Sequence, residues 1–214
     1  ETDRFQVCLP LLESGDRAVV CTGLSLINQD GKPLPAEEPR AHWFRAVWSM
    51  QEDENLEVWE RLGIANYLAT TSNVIARTDW LKKKPFRAYR FNHDYFFLVD
   101  AALRNQLHVV TDSLLRYRVH PTNTINSAPA PLLKEMLQMN LDLYRELGGE
   151  LRTDAALRLR FHQYCRSSWN SVSSLHAGLL QTVLADLATE VAPDRLPQLI
   201  ADLDVEELNH HPNS

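Results

Sequence analysis

Runs of apolar and β-branched residues in the first 120 positions have the pattern of β-strands. The sequence predicts strands at residues 18–27, 67–77, 107–110 and 114–119. The first run is the most continuously apolar, which is typical of a strand buried inside a sheet. It begins after the helix-stopping Gly15 and ends at a turn over residues 28–31.

Helical spacing of apolar residues separates these strands. An opening helix is indicated by Phe5, Cys8, Leu9 and Leu12. Two short helices are expected within residues 42–62, after a loop at 32–40 that contains three prolines. A further helix is expected to begin at Asn92-His93-Asp94, since the next apolar positions are Phe97, Leu98, Ala101 and Ala102. The first part of the chain therefore has an α/β pattern.

Beyond Pro131 the pattern is helical throughout. One amphipathic helix carries Leu133, Leu137, Leu141 and Tyr144 and is expected to stop at Gly148-Gly149. A stripe from Leu157 to Val183, with apolar steps of three and four, predicts a long packed helix. A short helix can follow at 196–203. We therefore predict an α/β part over residues 1–127 and an all-α extension over residues 128–214, with a helix-rich chain overall.

Composition narrows the classes of partner. The chain has 214 residues and a net charge of −6, so nucleic acid is not an expected partner. Cys8, Cys21 and Cys165 are widely spaced, which favours a reducing, cytoplasmic location over disulfides or zinc. No apolar run is long enough to span a membrane. The basic residues Lys82–Lys84 are compatible with a peripheral location at the inner face of a membrane, where they would contact anionic lipid.

The segments with the most informative chemistry lie between residues 67 and 126. They are Thr70-Thr71-Ser72-Asn73, Arg90-Phe91-Asn92-His93-Asp94 and Tyr117-Arg118-Val119-His120-Pro121-Thr122-Asn123-Thr124-Ile125. In order and spacing they resemble the downstream signature of family 2 glycosyltransferases. In that family a polar segment of the Thr-Thr-Ser-Asn kind precedes an acidic dyad that opens a helix. A Tyr-Arg-x-His-x-x-Asn-Thr-Ile motif closes the catalytic domain.

The resemblance covers about the first 125 residues and has several implications. It implies a partial glycosyltransferase A-type fold, similar to nucleotide-diphospho-sugar transferases, whose nucleotide-binding half and Asp-x-Asp motif lie upstream of Glu1. It also implies a nucleotide-sugar donor, a divalent Mg or Mn ion and a saccharide or lipid-linked acceptor, as in the synthesis of cell-surface polysaccharides. We expect this chain by itself to be inactive. We also expect its sheet to have an exposed edge that favours self-association.

An inverting transferase needs a general base that removes the proton of the attacking hydroxyl. The resemblance assigns this role to Asp94, with His93 orienting it or contacting the acceptor. The expected substrate-binding residues are Thr71, Ser72, Asn73, Arg90, Arg118, Asn123 and Thr124. His120 is the candidate metal ligand. Period-two alternation along the predicted strand places Arg116, Arg118 and His120 on one face.

Simpler interpretations of the same residues remain open. Asp94 or Asn92 can be a helix N-cap, and the polar 70–73 segment can be only the end of a strand. The whole chain can be a noncatalytic helical binding or scaffold module whose glycosyltransferase-like half is degenerate. A hydrolase that uses His93 and Asp94 is the weakest alternative, because the sequence has no Gly-x-Ser-x-Gly motif.

Overall fold

The structure is a computed structural model that describes residues 3–50, 53, 55–120 and 129–169. Several predictions fall on other residues. The end of the long apolar stripe, the short helix at 196–203, and the candidate binding residues Asn123 and Thr124 all lie outside the described residues.

The described part of the chain is helix-rich, with a small three-stranded mixed sheet. Its elements are α1 (Arg4–Glu13), β1 (Val19–Ile27), α2 (Pro39–Ser49), α3 (Val58–Ile64), β2 (Ile75–Ala76), α4 (Thr78–Lys83), α5 (His93–Leu103), β3 (Leu107–Arg118), α6 (Pro129–Thr153) and α7 (Ala155–Trp169). The predicted α/β class and the helix-rich character are confirmed. The described helices include none that is long and apolar enough to cross a membrane.

The described sheet is open and has the strand order β2-β1-β3. β1 lies in the middle, parallel to β3 and antiparallel to β2, which explains why its first six residues are all buried. The prediction of a strand over residues 67–77 is wrong for most of its length, because β2 has only two residues. Thr71–Asn73 instead form a 3₁₀ turn in which the backbone amide of Ser72 donates a hydrogen bond to the side chain of Thr70.

β3 is one continuous strand and not the two strands that the sequence predicted. The polar residues between them form a bulge: Thr22 pairs with Val110, and Gly23 pairs with Ser113. Gly23 accommodates this bulge, since a Cβ there would lie 2.6 Å from the carbonyl oxygen of Thr111. The missing side chain of Gly23 thus lets the two strands remain paired on both sides of the bulge.

α6 also differs from the prediction, because it continues through Gly148-Gly149 to Thr153. Its buried face is formed by Met139, Leu143, Leu147 and Leu151. The last two lie on opposite sides of the glycine pair and are fully buried. Each helical glycine costs about 1 kcal/mol relative to alanine. Burial of the leucines on both sides stabilises the helix by more than this local cost.

The stripe predicted for the long helix is confirmed in its described part, where Leu157, Phe161, Tyr164 and Ser168 are buried in α7. α7 packs closely on α3, and a Cβ on Gly63 would lie 2.6 Å from the carbonyl oxygen of Tyr164. Buried residues from α5, α6 and α7 belong to one hydrophobic cluster. The described residues on either side of position 127 therefore share a core.

The predicted apolar stripe of α1 is only partly buried. Cys8 and Leu12 are buried against Val20 of β1, as the helical spacing indicated. Phe5 is 59% exposed and Leu9 is 45% exposed, so the other half of the stripe faces outward.

Candidate functional site

A cavity of about 550 Å³ lies at the N-terminus of α5, among parts of the chain that are distant in sequence. Its lining includes residues from α2, the 63–71 segment, the end of β3, α6 and α7. The charged residues and histidines on the described lining are Arg40, Arg90, His93, Asp94 and His120. The cavity therefore contains the predicted base together with two guanidinium groups and two imidazoles.

Asp94 lies in the first turn of α5 and is only 6% exposed. Desolvation by burial raises the pKa of its carboxyl group above the ordinary value. The charge of His93 and hydrogen bonds from the backbone amides of Tyr95, Asp94 and Thr71 act in the opposite direction. A buried carboxylate that lines a cavity and has a raised pKa is a stronger base than an exposed one.

His93 and Thr71 are in direct contact. The Nε2 atom of His93 and the Oγ1 atom of Thr71 are 2.8 Å apart, which is a hydrogen-bond distance. The backbone amide of Thr71 also donates a hydrogen bond to the carboxyl group of Asp94. The ring of Phe86 lies edge-on to His93, at a centroid distance of 6.3 Å. Thr71 therefore holds both members of the His93-Asp94 pair, and Phe86 limits the movement of the imidazole.

The structure separates the three neighbouring residues that were predicted to bind substrate. Thr71 lines the cavity, whereas Ser72 and Asn73 do not. Asn73 is completely buried, and its Oδ1 atom accepts hydrogen bonds from the backbone amide of Thr22 at 3.0 Å and from Arg4 at 3.2 Å. Its Nδ2 atom donates to the carbonyl oxygens of Thr22 and Leu68. Asn73 thus connects its turn to β1 and has no direct access to a ligand.

Arg4 was not among the site residues predicted from the sequence, and it supports the same turn. Its guanidinium group donates to the carbonyl oxygen of Ser72 at 2.9 Å and to that of Asn73 at 2.7 Å. The backbone of Ser72 is thereby fixed, although its side chain is exposed. Arg4 and Asn73 together place Thr71 at the cavity.

Arg118 and His120 were predicted to lie on the same face of the strand, but only His120 lines the cavity. Arg118 does not line it, and its guanidinium group instead donates to the carbonyl oxygens of Asn28 and Gln29 in the turn after β1. His120 and Tyr117 do line the cavity. β3 ends at Arg118, so the alternation of side chains ends there and His120 does not follow the direction of Arg118.

Arg90, a predicted substrate-binding residue, lines the cavity, and its guanidinium carbon lies 5.2 Å from the ring centre of Phe91. The N-cap interpretation is met in position by Asn92 and not by Asp94. Asn92 occupies the N-cap position of α5, but its side chain makes no capping hydrogen bond, and Asp94 lies inside the helix. The carboxyl group of Asp94 nevertheless accepts from the amides of Asp94 and Tyr95 in the first turn of α5, so Asp94 both satisfies donors at the helix start and lines the cavity.

The divalent metal implied by the resemblance has no ligand set in the described part of the chain. Within it, no group of three or more His, Cys, Asp or Glu residues could hold a metal ion. Asp94 is the one carboxylate among the described lining residues, and His120, the candidate metal ligand, lines the same cavity. These residues do not by themselves provide the carboxylate and water oxygens that Mg²⁺ prefers.

Several residues of the cavity were missed in the sequence. α2 contributes Arg40, Trp43 and Phe44, and the guanidinium carbon of Arg40 lies 5.3 Å from the ring centre of Trp43. The cluster of aromatic and basic residues in α2 was a possible signal, but its spacing had no clear period. α6 and α7 contribute further lining residues, among them Asn140 and Tyr164. These two looked like ordinary positions on amphipathic helices.

Comparison with known proteins adds nothing to this geometry, since no protein-family model, curated protein or solved structure matches the chain. The functional argument therefore rests on the motifs and on the cavity.

Proposed function

We propose that this chain forms the acceptor side of an inverting glycosyltransferase that uses a nucleotide-sugar donor. The observation that carries the proposal is the position of Asp94, a buried carboxylate with a raised pKa on the lining of a cavity, next to His93. Catalytic bases are commonly found in such surroundings. The spacing of the motifs, which resembles that of family 2 glycosyltransferases, supplies the type of reaction.

In the proposed reaction the hydroxyl oxygen of the acceptor attacks the anomeric carbon of the donor sugar. As this bond forms, the bond from the anomeric carbon to the diphosphate oxygen breaks, and the nucleoside diphosphate leaves with the electron pair. An oxygen of Asp94 takes the proton of the attacking hydroxyl. The configuration at the anomeric carbon is inverted because a single displacement occurs on the face opposite the leaving group.

The other lining residues have roles that fit this reaction. His93, held by Thr71, orients the carboxylate of Asp94 or contacts the acceptor. Arg40 and Arg90 give the cavity positive charge, which stabilises the negative charge that develops on a leaving diphosphate.

The proposal is tested with Asp94→Asn in the full-length protein, assayed with a panel of nucleotide-sugars for release of nucleoside diphosphate. Asparagine preserves the shape of the side chain but removes its basicity. Turnover at saturating donor should therefore fall by about 10² to 10⁴. Asp79→Asn is the matched control, because Asp79 is exposed, pairs with Arg77 and lies outside the cavity lining.

Parental turnover in Asp94→Asn would exclude Asp94 as the base. A parent protein that releases no nucleoside diphosphate from any donor of the panel, in the presence of Mg²⁺ or Mn²⁺, would favour the noncatalytic scaffold.

A further inference from the structure

Glu135 of α6 binds the backbone of the turn that leads into α5. Its Oε2 atom accepts a hydrogen bond from the backbone amide of Arg90 at 2.8 Å. Its Oε1 atom accepts from the backbone amides of Phe91 and Asn92, each at 2.7 Å, and from the side-chain amide of Asn92 at 3.1 Å. One carboxylate thus binds three consecutive backbone amides immediately before His93.

The position of these amides, just before the first turn of α5, favours a negatively charged acceptor. The amides at the start of a helix have no partner within the helix, and the helix dipole favours negative charge there. Hydrogen bonds to an ionised acceptor are stronger than those between neutral groups. Glu135 supplies from another helix an acceptor for the amide of the N-cap residue Asn92 and for the two amides before it.

The packing of α6 fixes where Glu135 lies. Met139 and Leu143, one and two turns further along α6, are fully buried in the shared core. A second polar contact follows, because the hydroxyl group of Tyr89 donates to Asp142 at 2.8 Å. Glu135 is therefore held by a docked helix and is not a mobile surface side chain.

The turn that Glu135 binds contains one candidate site residue and leads directly into two others. Arg90 is in the turn itself, and His93 and Asp94 are the first and second residues of the helix that follows. Across the cavity, Thr71 is fixed by Arg4 and Asn73 and contacts the imidazole. The distance between His93 and Thr71 consequently depends on two anchors, one on each side.

We propose that Glu135 is a positioning residue, which fixes the 90–92 turn and thereby directs His93 and Asp94 into the cavity. Glu135 lies beyond the residues that carry the resemblance to glycosyltransferases. The predicted helical extension would then have a specific role, since its first helix holds the catalytic turn in place. Only the effect of Glu135 on turnover rests on the proposed function. Its effect on geometry can be measured without a substrate.

The first experiment measures backbone amide hydrogen exchange by NMR in the parent, in Glu135→Gln and in Asp142→Asn. Glutamine keeps the length of the side chain but removes the charge and replaces one acceptor oxygen by a donor group. Exchange at Arg90, Phe91 and Asn92 should become at least about tenfold faster in Glu135→Gln, with the amides of β1 unchanged. Asp142→Asn changes the same helix at its contact with the hydroxyl group of Tyr89, for which asparagine keeps an acceptor oxygen, and should therefore leave these amides as in the parent.

The second experiment follows the ring nitrogen resonances of His93 in the same three proteins. We expect the Nε2 resonance to shift in Glu135→Gln and to stay at its parental position in Asp142→Asn, because only the first variant alters the contact with Thr71. Parental exchange at residues 90–92, or a parental His93 resonance, would overturn the proposal. Neither result depends on turnover, so the proposal can fail while the proposed function stands, and the reverse also holds.

The third experiment measures the kinetics of turnover, in which we expect kcat to change and KM to stay nearly constant. Glu135→Gln should lower kcat about tenfold with little change in the KM for the donor, since the variant misaligns the base without removing a binding group. An unchanged kcat in a variant whose turn is loosened would overturn the positioning role. If Glu135→Gln does not fold, Glu135→Asp, which withdraws the carboxylate by one methylene group, takes its place with the same expected and contradicting results.

Discussion

The 70–73 and 90–94 segments differ in how they contribute to the cavity, although the sequence presents both as polar motifs of a binding site. In the 70–73 segment the side-chain amide of Asn73 is hydrogen-bonded to the backbone of β1, and only Thr70 and Thr71 line the cavity. The 90–94 segment lies on the lining along its whole length and is held from outside by Glu135. The direction of each polar side chain, and not its position in a motif, decides whether it supports the fold or faces a ligand.

The two segments also differ in how their buried polar groups are satisfied. The side-chain oxygen and nitrogen of Asn73 both have protein partners, so its burial stabilises the fold. Asp94 has backbone partners too, yet burial still raises the pKa of its carboxyl group. An incompletely compensated buried charge lowers stability, and such a cost is typical of a residue kept for its chemistry.

The comparison predicts its largest effect for Asn73→Ala. The substitution removes the side-chain partner of the buried Thr22 backbone amide and carbonyl group. It also removes one acceptor of the Arg4 guanidinium group, which keeps the backbone carbonyl oxygens of Ser72 and Asn73. The free energy of unfolding should fall by about 3 kcal/mol, measured by urea unfolding followed by circular dichroism. Ser72→Ala, in the adjacent exposed position, should change it by less than about 0.5 kcal/mol. Similar stabilities for the two variants would show that Asn73 does not have the supporting role assigned to it.

A smaller effect is expected for Thr71→Val, which tests the contact between the segments. Valine keeps the shape and the backbone amide that reaches Asp94 but removes the hydroxyl group that contacts His93. Turnover should fall about tenfold, the equivalent of one hydrogen bond, with little change in the melting temperature. Thr78→Val is the control, since Thr78 is exposed and lies outside the cavity lining. If both variants turn over at the parental rate, the contact has no role in catalysis.

The smallest effect is the pH dependence of stability in Asp94→Asn. Because the pKa of the Asp94 carboxyl is raised in the folded protein, its protonated form adds stability below the unfolded pKa of about 3.9. The parent loses this contribution as the pH rises through the folded pKa, whereas asparagine has no such transition. The melting temperature of the variant should therefore equal or exceed that of the parent at neutral pH, with a difference that shrinks on acidification. A variant less stable than the parent at neutral pH would mean that the charged carboxylate stabilises the fold.

Local signals were sufficient for several elements of the fold. The apolar run of β1, the turn at Gly31 with a positive φ of 81°, and the start of α5 at His93 were all predictable. In each case the determining residues are neighbours in the chain. The position of Asp94 at the first turn of a helix followed from the same kind of signal, and the resemblance added its candidate role.

Other elements depended on partners far away in sequence, and there the predictions failed. The bulge in β3 needs Gly23 of β1, and the short β2 follows from the bond between Asn73 and Thr22. Arg118 was assigned to a binding face, but the turn at Asn28 provides carbonyl acceptors that the strand pattern does not show. Polar character alone does not distinguish these arrangements.

By itself the sequence determined where most helices and the central strand lie and which short segments carry reactive side chains, since periodicity and turn chemistry act over a few residues. Only the tertiary structure decided that α6 passes through Gly148-Gly149, that Asn73 is turned inward, and that Glu135 binds the turn before Asp94. The reason is physical. Burial and hydrogen bonding across the core involve residues tens of positions apart and outweigh the local preferences of the chain.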